Sequence, residues 1–142
     1  MSIEANRVLV VQFYQFMSNL EFEKMFELMA DDATWTVAGN PATFHHAGTV
    51  TKPQRAEALA NFTKLFSSLQ QDIRSTTAEE DRVAVEAITR CKTVTGVEYV
   101  NDLLILIRCR DGKIVSIYEH VDQGTALEFE RRLAESMGEQ SA

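Results

Sequence analysis

Cations are in short supply in this chain: 14 Lys and Arg stand against 21 Asp and Glu, a formal charge of -7. An acidic protein lacks the basic patch that nucleic acid or an anionic membrane surface requires. No expected element carries a Lys/Arg cluster that would supply one. Long apolar runs are missing too, since the longest, Leu103 to Ile107, is far short of the ~20 residues that span a bilayer. The opening Met1-Ser2-Ile3-Glu4 has no basic stretch followed by an apolar one, so it does not read as an export signal, and a cytoplasmic protein is expected. Cysteine is scarce. Cys91 and Cys109 both fall inside apolar strand patterns and read as small buried hydrophobes, with neither a disulfide nor a metal site expected. Repeats, linkers and low-complexity stretches are also lacking, which leaves one domain over 1–142, its end from 136 to 142 expected to fray.

What is present is a change of period. Leu9, Phe13, Phe16, Met17 and Leu20 recur at helical spacing, with Val10 and Tyr14 widening the stripe. Asn19 is placed to cap a second helix that buries Phe22, Met25, Phe26 and Met29 and ends at Asp31-Asp32. Ala33 to Val37 reads as a short strand carrying the single tryptophan, Trp35, which alternation with Thr34 and Thr36 points inward. A loop from Ala38 to Val50 follows. Thr51-Lys52-Pro53-Gln54 is a capping-box pattern, opening a third helix expected to bury Leu59, Phe62, Phe66 and Leu69.

From Ile73 the period becomes two. Arg82 to Thr93, Tyr99 to Cys109 and Lys113 to Val121 read as strands, joined at Thr95-Gly96 and at Asp111-Gly112, the second a strong hairpin signal. Thr125 to Glu128 is a further capping box, opening a helix through Leu133. Helices first and long strands after them predict an α+β fold with helices packed on one face of a bent sheet.

Treating both turns as two-residue loops sets a register. Leu104 then opposes Glu119 and Ala87, and Asp102 opposes Val121 and Thr89. This sorts Val85, Ala87, Thr89, Asp102, Leu104, Leu106, Val115, Ile117, Glu119 and Val121 onto the face toward the helices. The other face receives Glu86, Ile88, Arg90, Asn101, Leu103, Ile105, Ser116, Tyr118, His120 and Asp122. Its half-apolar character predicts a homodimer burying Leu103, Ile105 and Tyr118, with the polar residues around His120 as interface contacts. Asp102 and Glu119 become neighbours in an apolar cavity, where burial and mutual repulsion raise carboxyl pKa values into the range useful for acid/base chemistry. They are the candidate catalytic pair, although a carboxylate there also has a packing role open to it, bonded to Tyr14, Trp35 or Thr89. His45-His46 sits in a loop able to cover the pocket mouth. Adjacent histidines chelate one metal poorly, and no Cys or further His stands at ligand spacing, so no metal is expected.

Three stretches, Tyr99-Val-Asn-Asp-Leu, Arg110-Asp-Gly-Lys-Ile and Tyr118-Glu-His-Val-Asp122, together with Asp32-Ala-Thr-Trp35 after the second helix, resemble the SnoaL-like, nuclear-transport-factor-2-like superfamily. The resemblance spans nearly the whole chain. It implies a cone in which a curved, mostly antiparallel sheet wraps N-terminal helices around a central apolar pocket, often dimerised through the sheet. Members include polyketide cyclases, ketosteroid isomerases, limonene epoxide hydrolases, dehydratases and non-catalytic binding modules. Glu119 matches the strand carboxylate of the epoxide-hydrolase type, but that type's Arg-x-Asp pair falls at Ala87 and Thr89 and is absent. Tyr14 with Asp102 imitates the oxyanion hole of the ketosteroid-isomerase type in residue type alone.

The expectation is therefore a small-molecule pocket protein working without a cofactor, an acid/base isomerase, lyase or cyclase on an apolar cyclic substrate. A ligand-binding or protein-assembly module of the same fold is the alternative. Tyr14, Trp35, Thr89, Leu104, Val121, Phe62, His45 and His46 are the expected substrate contacts.

Overall fold

The computed structural model describes residues 2–141, of which 139–141 by backbone alone. The first helix, α1 (Ile3–Ser18), is capped by Ser2, whose side chain accepts from the Ala5 N–H, and it buries Leu9, Val10, Phe13, Tyr14 and Met17 along one stripe. A second helix, α2 (Phe22–Glu27), stops earlier than the acidic pair Asp31-Asp32 would suggest. Both aspartates lie in the first strand, β1 (Met29–Val37), within the irregular stretch between its pairings at Met29↔Ile114 and Thr34↔Ser116. The cap of α2 is Glu21, with no side-chain bond, and not Asn19.

The loop after β1 contains a strand that sequence alone does not signal. Strand β2 (Gly48–Thr51) pairs antiparallel with β1 and leads straight into α3 (Lys52–Ala60). The capping box at Thr51 and Gln54 forms in both directions. Helix α3 is short, followed by one turn, α4 (Phe62–Leu65), and then by the long strand β3 (Phe66–Glu79). Phe66 and Leu69, expected on the third helix, are strand residues opposite Thr93 and Cys91. A bulge between Phe66 and Ser68 breaks the alternation, so the three-residue spacing that imitates a helix still suits a strand here.

Strands β4 (Arg82–Thr93), β5 (Glu98–Arg110) and β6 (Lys113–Val121) follow as a meander. The sheet order is β2-β1-β6-β5-β4-β3, antiparallel throughout except for the parallel β1–β6 pair. Chain order thus places Trp35 beside Ile117, and Val37 beside Glu119. The last helix, α5 (Gln123–Ser141), extends through most of the segment expected to fray, while Ala142 lies outside the described residues. Its N-terminus is capped by Asp122, which accepts from Thr125 N, three residues before the expected capping box. The result is an α+β fold of the cone type, with helices against the inner face of one curved sheet.

The expected register holds at the turn and fails beyond it. Arg110 does face Lys113, across a turn in which Asp111 and Gly112 both have positive φ (51° and 76°), the pattern of a type I′ hairpin. Two residues further, the pairing steps from Cys109↔Ile114 to Arg108↔Ser116, so β6 carries one extra residue, Val115, as a bulge. The β4–β5 connection is also one residue longer than expected. Thr93 N donates to Val97 O and Gly96 N to Thr93 O, which leaves a three-residue loop with Gly96 at φ +89°.

Each shift by itself turns β5 over. Together they leave β4 and most of β6 as assigned and exchange the two faces of β5. Asn101, Leu103, Ile105, Ile107 and Cys109 point inward; Asp102, Leu104 and Leu106 point out.

Candidate active site

Between the helices and the inner sheet face lies a cavity of about 510 Å³. Its floor is aromatic. The Phe62 and Phe66 rings stack at 4.4 Å, Phe22 meets Phe62 edge-on at 5.6 Å, and Phe129 bridges from Phe66 to Tyr99. Leu59, Leu65, Leu69 and Leu103 add aliphatic surface. Such a lining presents mainly apolar, largely aromatic surface.

At the inner end of this cavity the polar groups collect. Glu119 comes from β6 and is buried. Removal from water pushes its carboxyl above the usual range, opposed by the positive charge of Arg55 and by the nearby indole N–H of Trp35. Tyr14, from α1, is also buried, and its hydroxyl is pushed well above the ordinary phenol range by burial first and by Glu119 second. Arg55, from α3, lays its guanidinium 4.4 Å from the Trp35 ring centroid, a cation–π contact that fixes its direction.

Among the described residues two buried donors of this cluster, Tyr14 Oη and Arg55 Nε, have no hydrogen-bond partner, while the Trp35 indole N–H is turned toward Glu119. Burying an unpaired donor costs about 1–3 kcal/mol, so two around one cavity describe a site able to receive an oxygen acceptor. Deeper along the wall Thr89 Oγ1 donates to Gln71 Oε1 at 2.6 Å, and Asn101 Nδ2 donates to the Tyr99 hydroxyl at 2.7 Å, so these polar groups are already engaged. Cys91, at the same wall, has its thiol pushed up to about 12 by burial and is no nucleophile.

Of the residues expected in the site, Glu119, Tyr14, Trp35, Thr89, Phe62, Val121 and His46 line the cavity. Asp102 does not. It is exposed on the outer sheet face beside Glu86 and His120, because the β6 bulge and the longer β4–β5 loop turned β5 over. The same reversal exposes 63% of Leu104, so neither the Asp102–Glu119 pair nor a Tyr14–Asp102 oxyanion hole exists. His45 stands at the rim, where His45 Nε2 lies 3.1 Å from Glu130 Oε1 and His46 contacts the same oxygen.

Arg55 was missed. Its signal was present: it lies four residues before Leu59 and seven before Phe62, on the stripe that α3 and α4 turn toward the cavity. Glu130, by contrast, gives no local sequence sign that it meets the histidine loop 84 residues away.

Residues 10–117 match the sequence profile described as a SnoaL-like domain. No curated protein sequence matches the chain. Among solved structures, PrhC from Penicillium brasilianum is similar at 17% identity and a TM-score of 0.85, covering 95% of this chain and 91% of that one. The BvnE pinacolase from Penicillium brevicompactum is similar at 12% identity and a TM-score of 0.81, covering 94% and 97%. A nuclear-transport-factor-2-like protein from Burkholderia xenovorans LB400 shares 21% identity at a TM-score of 0.71, covering 90% and 97%. At these identities the likeness is one of fold.

Proposed function

Because this chain belongs to the SnoaL-like domain family, we propose that its cavity is the active site of a cofactor-independent acid/base enzyme acting on an apolar cyclic carbonyl compound. The observation that carries this reading is the inner cluster: one buried carboxylate with a raised pKa beside two unpartnered donors, Tyr14 Oη and Arg55 Nε. The aromatic wall takes the ring system. The substrate carbonyl oxygen accepts from Arg55 and Tyr14. Glu119, as carboxylate, takes a proton from the carbon next to that carbonyl; the C–H electron pair becomes the enolate π bond, and the new negative charge sits on the oxygen the donors hold. Return of the proton to a different carbon gives isomerisation, loss of a β-substituent gives elimination, and attack of the enolate carbon on a second carbonyl gives cyclisation. All three begin with the same proton transfer.

That first transfer is measurable before the natural substrate is known. A panel of cyclic ketones and enones in deuterium oxide should show enzyme-dependent exchange of α-hydrogens, read by NMR or mass spectrometry. The exchange should fall by roughly 10²–10⁴-fold in Glu119→Gln. Carboxyl-carbon NMR should place the Glu119 titration above the ordinary glutamate value of ~4.3. A Glu119 titrating at that ordinary value, or exchange unchanged in Glu119→Gln, overturns the proposal in favour of a binding module.

A further inference from the structure

The pocket mouth carries a second constellation that the acid/base chemistry does not use. His45 and His46 come from the loop after β1, and Glu130 from the cavity-facing side of α5. One ligand atom from each lies within 4.8 Å of the others, and both Nε2 atoms contact the same Glu130 Oε1. The loop is held in place by its own bonds. Asn40 Oδ1 accepts from Ala42 N, Asn40 O accepts from Phe44 N, and Ala47 N donates to Phe44 O. Phe44 is buried as an anchor, and its ring meets that of His46 edge-on at 5.4 Å. The histidines are thus presented to α5 by an ordered turn.

We propose that His45 Nε2, His46 Nε2 and the Glu130 carboxylate form a site for a divalent transition metal of the zinc type. Two imidazole nitrogens and one carboxylate oxygen are the donor set such ions favour, and a poor one for calcium or magnesium, which take oxygen. With metal–ligand lengths near 2.0–2.1 Å, tetrahedral donors stand roughly 3.3 Å apart. The His45–Glu130 contact of 3.1 Å is already at that spacing. The widest pair closes the remaining distance by rotation of imidazoles whose side chains are 64% and 48% exposed.

Sequence spacing argued against a metal because adjacent histidines had no third ligand; the fold supplies it from α5. His46 and Glu130 both line the cavity, so the fourth position of a three-ligand site opens at its mouth, within reach of a ligand oxygen. The ion would also tie the loop to α5 across the entrance. This inference does not rest on the acid/base reading, since none of its ligands belongs to the inner cluster.

The test is direct binding to the full chain after chelator dialysis, by calorimetry with zinc chloride and by visible absorption with cobalt(II). The expected result is one ion per chain, with the absorption of a four-coordinate cobalt site. Affinity should fall at least about tenfold in Glu130→Gln and in His46→Ala, each checked for folding by circular dichroism, and should be unchanged in Glu119→Gln. Wild-type protein that takes up no stoichiometric zinc, or a folded Glu130→Gln variant that binds as tightly as wild type, overturns the site.

Discussion

Glu119 and Arg55 act on one another from different elements, and their coupling gives a prediction with a definite sign. Arg55 opposes the rise in the Glu119 pKa, so Arg55→Met should send the Glu119 titration higher still, observable by carboxyl-carbon NMR. A base must be ionised to work. Wild-type exchange activity should therefore be present above the Glu119 pKa and lost as pH falls through it, and Arg55→Met should move that limb to higher pH. Stability runs the other way. A carboxyl raised in the folded state contributes stability that is complete below its unfolded pKa and is lost as pH rises through the folded one. Glu119→Gln should flatten the stability profile over that interval, measured by urea unfolding at several pH values. A variant that lost activity and kept the wild-type stability slope would show that Glu119 is not the group being titrated.

At the level of elements, the junction of β5, β6 and α5 turns on one side chain. Asn101 is buried, donates to the Asp122 carbonyl at 2.9 Å, and accepts from the Asp122 N–H at 3.1 Å. It thereby fixes the residue that caps α5. Asn101→Ala should cost about 1–2 kcal/mol, seen as a lower urea midpoint at unchanged slope, because the Asp122 N–H loses its acceptor while the Asp122 carbonyl keeps only the Ala126 N–H. The elements also show where sequence patterns carry information. Capping at Thr51 and the Asp111-Gly112 turn were legible because each is decided within four residues by local hydrogen bonds or backbone sterics. The β6 bulge was not legible, since Val115 suits either face and only the neighbouring pairs decide which residue is left over. Strand β2 was missed for the same reason: Gly48 to Thr51 is extended only because β1 offers it a partner.

For the whole molecule, the reversal of β5 also changes which surface faces outward. Of the residues expected at a dimer interface, Leu103 and Ile105 are buried in the core and Tyr118 is 44% exposed, while Leu104 and Leu106, 63% and 37% exposed, stand outside in place of the first two. We propose that this outer face seats a second copy of the chain, its apolar centre rimmed by Arg74, Glu86, Asp102 and His120. Light scattering at micromolar concentration should give twice the 16.0 kDa chain mass, and Leu104→Asp with Leu106→Asp should return it to one. A wild-type monomer removes the interface.

By itself the sequence determined the fold class, the order of most elements, the inward tryptophan and the carboxylate on the last strand. These follow from periodicity and short-range turn chemistry, together with residues that resemble a known family. Tertiary structure alone decided which carboxylate is buried. It sent Asp102 outward and carried Glu130 to the histidine loop. The reason is physical. A strand's side-chain period is two, so one residue gained in a bulge or loop exchanges its faces, and the energy that selects the register lies in contacts between segments far apart in the chain.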